Sequence, residues 1–355
     1  MMAAKKKGKS SFLKKVFIVF ILLLVVGGGI TGWEFYKIIY QPNVSLKGEK
    51  STFIYIPTGA DINAVKNILS EKGIVIDINS FEWVAERKKY KDKIYPGKYL
   101  IKAGMNNNEL VNLLRSGKQV PVKLVINNFR KKEEIISLVG KQLEADSARL
   151  SAIFKDEVFL DKYGLNRENA GTLFIPNTYE FNWNTSAEQF IERMRKEHQK
   201  FWTDEKIEKA KALKLSQADV AILASIVEKE TRKRYEMPSI AGVYLNRLKK
   251  GMLLQADPTL VYASGNFNIT RVLNVHKEID SPYNTYKYSG LPPGPICIPD
   301  VRSIEAVLNF EKHDYLYFCA NPDMSFTHVF AKSYDQHLVN ARKFQQELNK
   351  RKILN

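Results

Sequence analysis

Three kinds of hydrophobic patterning run along this chain, and each predicts a different element. From Val16 to Trp33 there are 18 consecutive residues without a charge, centred on VFIVFILLLVV. As a helix this run is roughly 27 Å long, close to the ~30 Å hydrocarbon core of a bilayer, so a transmembrane anchor is expected over residues 16–36. Short runs rich in β-branched and aromatic residues and bounded by turn signals predict strands at Phe53–Pro57, Lys98–Lys102 and Val122–Ile126. A helical period passes through Ile62, Val65, Ile68 and Leu69. Another helix is expected around Phe81–Lys89, and Asn106–Asn108 offers an N-cap ahead of Leu110, Val111, Leu113 and Leu114. Helices follow at Lys132–Leu143, Ser147–Phe154 and Glu188–Trp202. Thr172–Phe181 reads as strand and loop, and Tyr315–Ala320 as a buried strand. The fold class is therefore α+β, organised as a basic segment (1–15), the anchor (16–36), a polar linker (37–50), a small α+β unit (51–120) and a larger mixed α+β domain (121–355).

Charge refines this layout. Lys+Arg number 55 against 38 Asp+Glu, a net +17. Six of the lysines (Lys5, Lys6, Lys7, Lys9, Lys14 and Lys15) precede the apolar run, and the remaining excess is spread along the chain. Dispersed charge without a recognised motif argues against a nucleic-acid partner. Lysines before the span and Glu34 after it favour a cytoplasmic N-terminus, so everything from about residue 40 is expected outside the membrane. The run is longer than a signal peptide's apolar region and lacks a small-x-small cleavage site, which favours a retained single-pass anchor. Trp33, Phe35 and Tyr36 would suit the outer interface. Two cysteines, Cys297 and Cys319, are too few for a disulfide scaffold, though an oxidising compartment would let them pair. With His276, His313, His328 and His337 showing no metal-ligand pattern, no metal is expected. His328, beside a strand, reads as a packed or hydrogen-bonded residue.

Candidate chemistry concentrates on VAILASIVEKE, which begins after Ser216-Gln-Ala-Asp219, a weak capping-box match because Asp replaces the usual Glu or Gln. The run carries Glu228 and Glu230. At about 100° per residue, Glu230 continues the face of Leu223, Ile226 and Val227, whereas Glu228 sits above Ala221, Ala224 and Ser225 with Arg232 four residues on, an order that suits a solvated ion pair. A carboxyl held against an apolar wall has a raised pKa, as a general acid at neutral pH needs. Glu230 is thus the better candidate, although charges also commonly end apolar helices at a solvated tip. Downstream, Gln255 and Asp257 fall in a turn-rich segment before Pro258. The loop SPYNTYKYSGLPPGP, with Tyr283, Asn284 and Tyr286, could stack on a sugar face and hydrogen-bond its hydroxyls and amides, or serve as an ordinary turn.

The segments LFIPNTYEF, ILASIVEKET, AGVYLNRLKKGMLLQADPT, SPYNTYKYSGLPPGPI, DYLYFCA and THVFAKSYDQH, in this order from residue 172 to 337, resemble the MltG (YceG-like) family of membrane-anchored endolytic murein transglycosylases. The small N-terminal unit is similar to a LysM-like glycan-binding subdomain. The resemblance implies that Glu230, the second Glu of the EKE motif, is the catalytic acid. It would protonate the oxygen between MurNAc and GlcNAc, then accept a proton from the muramyl primary hydroxyl as that hydroxyl closes on the anomeric carbon. The product would be an anhydromuramyl end. Glu228, Gln255, Asp257, Tyr283, Asn284 and Tyr286 would line the glycan groove. No cofactor is implied. Peptidoglycan glycan strands are the implied substrate, the inner membrane the location, and cell-wall synthases with elongation or division proteins the implied partners. The chain departs from the family pattern at Ala170, at Asn177 and at Met324–Thr327, which replaces a glycine-rich turn. Two alternatives stay open: a non-catalytic glycan-binding scaffold, and a hydrolase in which Asp257 supplies the second carboxylate such enzymes need.

Overall fold

The computed structural model describes residues 8–351; Lys5, Lys6 and Lys7 of the basic segment lie outside the described residues. The described chain is mixed α+β and forms two compact units, one reaching Val122 and including Asn182–Asn184, the other comprising Lys123–Phe181 and the residues from Thr185 onward.

The first unit begins with α1 (Gly8–Tyr40), the one helix among the described residues long and apolar enough to cross a membrane. It is followed by β1 (Ser51–Ile56), α2 (Ile62–Glu71), α3 (Ile78–Arg87), β2 (Gly97–Lys102) and α4 (Asn107–Ser116). β1 and β2 pair antiparallel, with Phe53 opposite Leu100 and Ile54 opposite Tyr99. One face of this ribbon sends Ile54, Ile56, Tyr99 and Ile101 into a core completed by Val65 and Leu69 of α2, Phe81 and Val84 of α3 and Leu110 and Leu114 of α4. Asp61, Asp77 and Asn106 cap the three helices with their side chains, satisfying N–H groups that a helix start leaves unpaired.

The polar linker expected over 37–50 is not a free connector. Residues 37–40 complete α1, where Ile38 and Ile39 pack on the core. Asn43 and Val44 are buried, and Val44 bridges to Val75. Asn43 donates to the Asp77 carbonyl (2.8 Å) and to Asn107 Oδ1 (2.7 Å), while Asn107 donates to the Ile38 carbonyl (2.8 Å). Polar residues at a buried joint make hydrogen bonds inside the protein, so polarity here misreads as solvent exposure.

The second unit contains β3 (Val122–Ile126), α5 (Lys132–Gln142), α6 (Ser147–Ile153), α7 (Glu157–Asp161), β4 (Asn177–Phe181), α8 (Ala187–Phe201), α9 (Asp204–Ala212), α10 (Gln217–Glu230), α11 (Met237–Lys249), α12 (Asp257–Ser264), α13 (Asn274–Lys277), α14 (Val301–Leu308), β5 (Tyr317–Ala320), β6 (His328–Ala331) and α15 (Tyr334–Lys350). β3 neighbours β4, and β5 pairs antiparallel with β6. The β5 hairpin is half-buried rather than the buried strand expected.

α10 is the axis of this unit. Its residues Val220 to Val227 are all buried, as a helix apolar on every side requires. They meet Ile240, Ala241 and Tyr244 of α11 and Ile304 and Val307 of α14 in one core. Ser225, the polar residue of that stretch, donates to the Ile222 carbonyl (2.7 Å) and accepts from the Ile296 N–H (3.0 Å). At its start the capping box closes despite the shorter side chain: Asp219 accepts from the Ser216 N–H at 2.9 Å. Cys297 and Cys319 do not pair; burial pushes the Cys297 thiol up to about 12.

Candidate active site

Glu230 is the last residue of α10. There the helix ends on Thr231, whose extended backbone turns the chain away and leaves the Glu230 side chain over a cleft of about 250 Å³. The cleft is lined by Tyr244 and Arg247 of α11, Leu254 and Gln255 of the following loop, Asp257 at the start of α12, Tyr286, Phe318 of β5 and His337 of α15. Tyr244 Oη donates to Glu230 Oε1 at 2.5 Å. Burial is the main reason the Glu230 carboxyl is raised to about 7; the Tyr244 hydrogen bond opposes it, the negative charge of Asp257 adds to it and the Arg247 guanidinium opposes it. A carboxyl poised there is populated in both protonation states at neutral pH.

The neighbours of Glu230 are held by the protein itself. Asp257 Oδ1 accepts from Tyr286 Oη at 2.5 Å. Arg247 is buried, donating from Nε to the Leu316 carbonyl (2.6 Å) and from Nη1 to the Leu254 carbonyl (2.7 Å), which ties the loop before Gln255 to the segment before β5. Gln255 adopts a left-handed backbone (φ +52°), sparsely populated for a side chain of its kind, and its N–H donates to the Thr285 carbonyl (3.0 Å). His337 stacks on Tyr317 at 5.5 Å, and its Nδ1 is buried with no hydrogen-bond partner. Burial, and then the nearby Arg247 charge, lower its pKa, so the ring is neutral at pH 7.

Of the expected groove residues, Gln255, Asp257 and Tyr286 therefore share one cleft with Glu230. Asp257 opens a helix rather than lying in a turn: Pro258 sits in the first helical turn, where its missing N–H costs nothing. Glu228, Tyr283 and Asn284 lie elsewhere. Glu228 makes no solvated pair with Arg232, because α10 has ended before that residue. Its carboxylate instead accepts from the Asp300 N–H (2.6 Å), from Ser303 Oγ (3.2 Å) and from Asn128, anchoring the start of α14. Asn284 is fully buried and staples its own loop, donating to the Lys277 (2.9 Å) and Ile279 (2.7 Å) carbonyls. Tyr283 packs on Tyr262 at 4.7 Å. Its loop leads to Gly294, where a Cβ would lie 2.2 Å from the Glu168 carbonyl oxygen, so only glycine fits. Tyr244, Arg247, Phe318 and His337 were not singled out for the site from the sequence. An aromatic and a cation three residues apart on one helix face were the available signal for the first two.

Two larger hollows of about 420 and 480 Å³ lie along α6 to α9. Of the three acids of the first, Asp156 caps α7 by accepting from the Phe159 N–H (3.1 Å), and Glu188 and Glu192 bond Arg149 (2.6 Å) and Arg195 (2.7 Å), which hold these two below the usual carboxylate range. Such ionised pairs have no proton to give at neutral pH.

The profile of the YceG-like family matches residues 54–343. The endolytic murein transglycosylase of Bacillus subtilis (strain 168) is 31% identical over 326 residues, covering 86% of this chain and 88% of that protein. The endolytic murein transglycosylase of Streptococcus pneumoniae (strain D39) is 30% identical over 326 residues, and the match spans 83% of this chain but 58% of the longer pneumococcal protein. The 2.6 Å crystal structure of a yceG-like protein from Listeria monocytogenes superposes with a TM-score of 0.54 at 31% identity, over 82% of this chain and 98% of that one. With its profile matched over most of the sequence and relatives of this similarity, the chain belongs to the YceG-like family.

Proposed function

We propose that this protein is a membrane-anchored endolytic murein transglycosylase, a lyase that cuts within peptidoglycan glycan strands. The observation that carries the reading is Glu230, a carboxyl raised to about 7 at a polar cleft. In its protonated form it gives its proton to O4, the oxygen joining MurNAc C1 to GlcNAc C4, and the C1–O4 bond breaks. The resulting carboxylate takes the proton of the muramyl C6 hydroxyl, and the O6–C1 bond forms. One carboxyl thus acts as acid and then base, no water is consumed, and Glu230 ends protonated for the next turnover. Tyr244 supports both states, its O–H holding Oε1 while the other oxygen exchanges the proton. The Gln255 side chain, which lines the cleft, is a polar group for the sugar hydroxyls and amides.

A hydrolase is the second reading with an observation behind it, since Asp257 lines the same cleft and its charge acts on Glu230. Its Oδ1 is occupied by Tyr286, which disfavours it as a water-activating base. The first unit is read as LysM-like and glycan-binding, supported by its strand–helix–helix–strand order and antiparallel ribbon. The α1 span, with lysines before it, supports a single-pass inner-membrane anchor with a cytoplasmic N-terminus and the bulk of the chain outside. Cell-wall synthases and elongation or division proteins are the partners this placement favours.

The test is digestion of purified glycan strands by the full-length protein in detergent, beside Glu230→Gln, with new ends identified by mass spectrometry. Anhydromuramyl ends from the wild type alone are the expected result. Reducing ends carrying an added water would make the enzyme a hydrolase and bring Asp257 into the mechanism.

A further inference from the structure

We propose that Glu236 and His328 are positioning residues for Glu230, closing a ring of contacts that holds the acid from its backbone and from its carboxyl at once. This rests on the reading of Glu230 as the catalytic acid. On the backbone side, Thr231 directly follows Glu230 and ends α10. Its hydroxyl donates to Glu236 Oε2 at 3.1 Å and accepts from the Lys233 N–H at 3.0 Å. Glu236 is 5% exposed and lies just before α11. Its Oε1 accepts from the backbone N–H of His328 at 2.7 Å, and its Oε2 lies 3.3 Å from His328 Nδ1. The carboxylate therefore joins the end of α10 to the first residue of β6.

On the carboxyl side the same histidine is the terminus. The His328 ring meets Phe318 edge-on at 5.2 Å, Phe318 meets Tyr244 edge-on at 5.8 Å, and Tyr244 Oη donates to Glu230 Oε1. Phe318 and Tyr244 both line the cleft. Both paths out of Glu230 thus converge on the Glu236–His328 pair, which itself does not line the cleft. A buried carboxylate with three donors converging on it has a fixed place. Edge-on aromatic contacts fix ring orientation as well as separation. Proton transfer depends on such placement, since a displacement of about 1 Å can cost a hundredfold in rate.

The experiment uses the full-length protein in detergent and the variants Glu236→Gln, His328→Phe and His328→Asn. His328→Phe keeps a ring against Phe318 and removes only the side-chain contact to Glu236, leaving the backbone N–H bond in place; His328→Asn places an N–H near the Nδ1 position without the ring. For Glu236→Gln and His328→Phe, kcat on glycan strands should fall about ten- to a hundredfold with KM changed by less than about twofold. His328→Asn should recover part of that loss. The alkaline limb of the kcat profile should also move to lower pH in the first two variants, because a loosened Glu230 carboxyl gains water. The groups facing Glu230, which are Tyr244, Arg247, Asp257, Tyr286 and His337, are unchanged in all three. Wild-type kcat with an unmoved limb in folded Glu236→Gln and His328→Phe would overturn the proposal. So would activity loss that merely follows the folded fraction measured by thermal unfolding. Failure of the wild type to make anhydromuramyl ends would instead sink the transglycosylase reading itself.

Discussion

Glu228 and Glu230 stand two residues apart on α10, and their surroundings are opposite. Rotation by roughly 200° points Glu228 into a wall of donors from Asn128, Asp300 and Ser303, and Glu230 towards a cleft where Tyr244 is its hydrogen-bond donor. Burial raises both carboxyls. For Glu228, the Asp300 N–H, Lys229 and Ser303 pull back the other way, while the Asp300 charge adds to the rise. Glu230 is opposed by one hydrogen bond, from Tyr244, and by the Arg247 charge, has the charge of Asp257 adding to the rise, and settles near 7. The same residue type on one helix is thus a structural anchor on one face and a candidate acid on the other. The number of donors separates the two roles more sharply than burial does.

The most direct way to break this contrast is by exchange of function. Glu230→Gln should lower turnover about a thousandfold, within the usual range for loss of a general acid, while glycan binding persists in a pull-down on insoluble peptidoglycan. Glu228→Ala should do the reverse: stability in urea falls by about 2–3 kcal/mol, because buried donors lose their acceptor, and the remaining folded protein turns over normally. Equal effects of the two on kcat would erase the distinction.

Finer tests move the Glu230 titration in opposite directions. Tyr244→Phe removes a hydrogen bond that lowers its pKa, so the alkaline limb of kcat/KM should move up by about half a unit to one unit. Asp257→Asn removes a like charge, so the limb should move down by a similar or smaller amount. A collapse of activity in Asp257→Asn, rather than a shift, would favour the hydrolase. The smallest effect is thermal. Because the folded pKa is raised, the folded state binds the Glu230 proton more tightly, and stability is lost as pH rises from about 4.5 to about 7. Glu230→Gln should therefore melt several degrees higher than wild type at pH 8 and close to it at pH 4.

Much of this was legible in the sequence where local chemistry decides. The helix α10 followed from an uninterrupted apolar run, but its eight consecutive buried residues cover every face, so Glu228's side is not the solvated one the face argument expected. The small unit's strands and helices followed from β-branched runs and Asp or Asn caps. What failed was whatever depends on distant partners. Asn43 looked like linker because its partners are at 77, 80 and 107. Asn284 read as a sugar ligand from the polarity of its loop, whereas its amide is spent on the nearby Lys277 and Ile279 carbonyls. Arg247 and His337 carry no local sign that residues 230, 247 and 337 meet at one cleft.

The union of α1 with the first unit has a mechanical consequence. The helix is 33 residues long, about 50 Å at 1.5 Å per residue, and it runs without a slack tether into a core that grips Ile38, Ile39, Asn43 and Val44. With its apolar stretch seated in a bilayer, the folded unit behaves as the head of a mast. Any tilt forced on the span by membrane thickness swings that head through an arc, and a turn of the span about its axis rotates it like a key. For a seated span, bilayer thickness would thereby be a control on which way this unit faces.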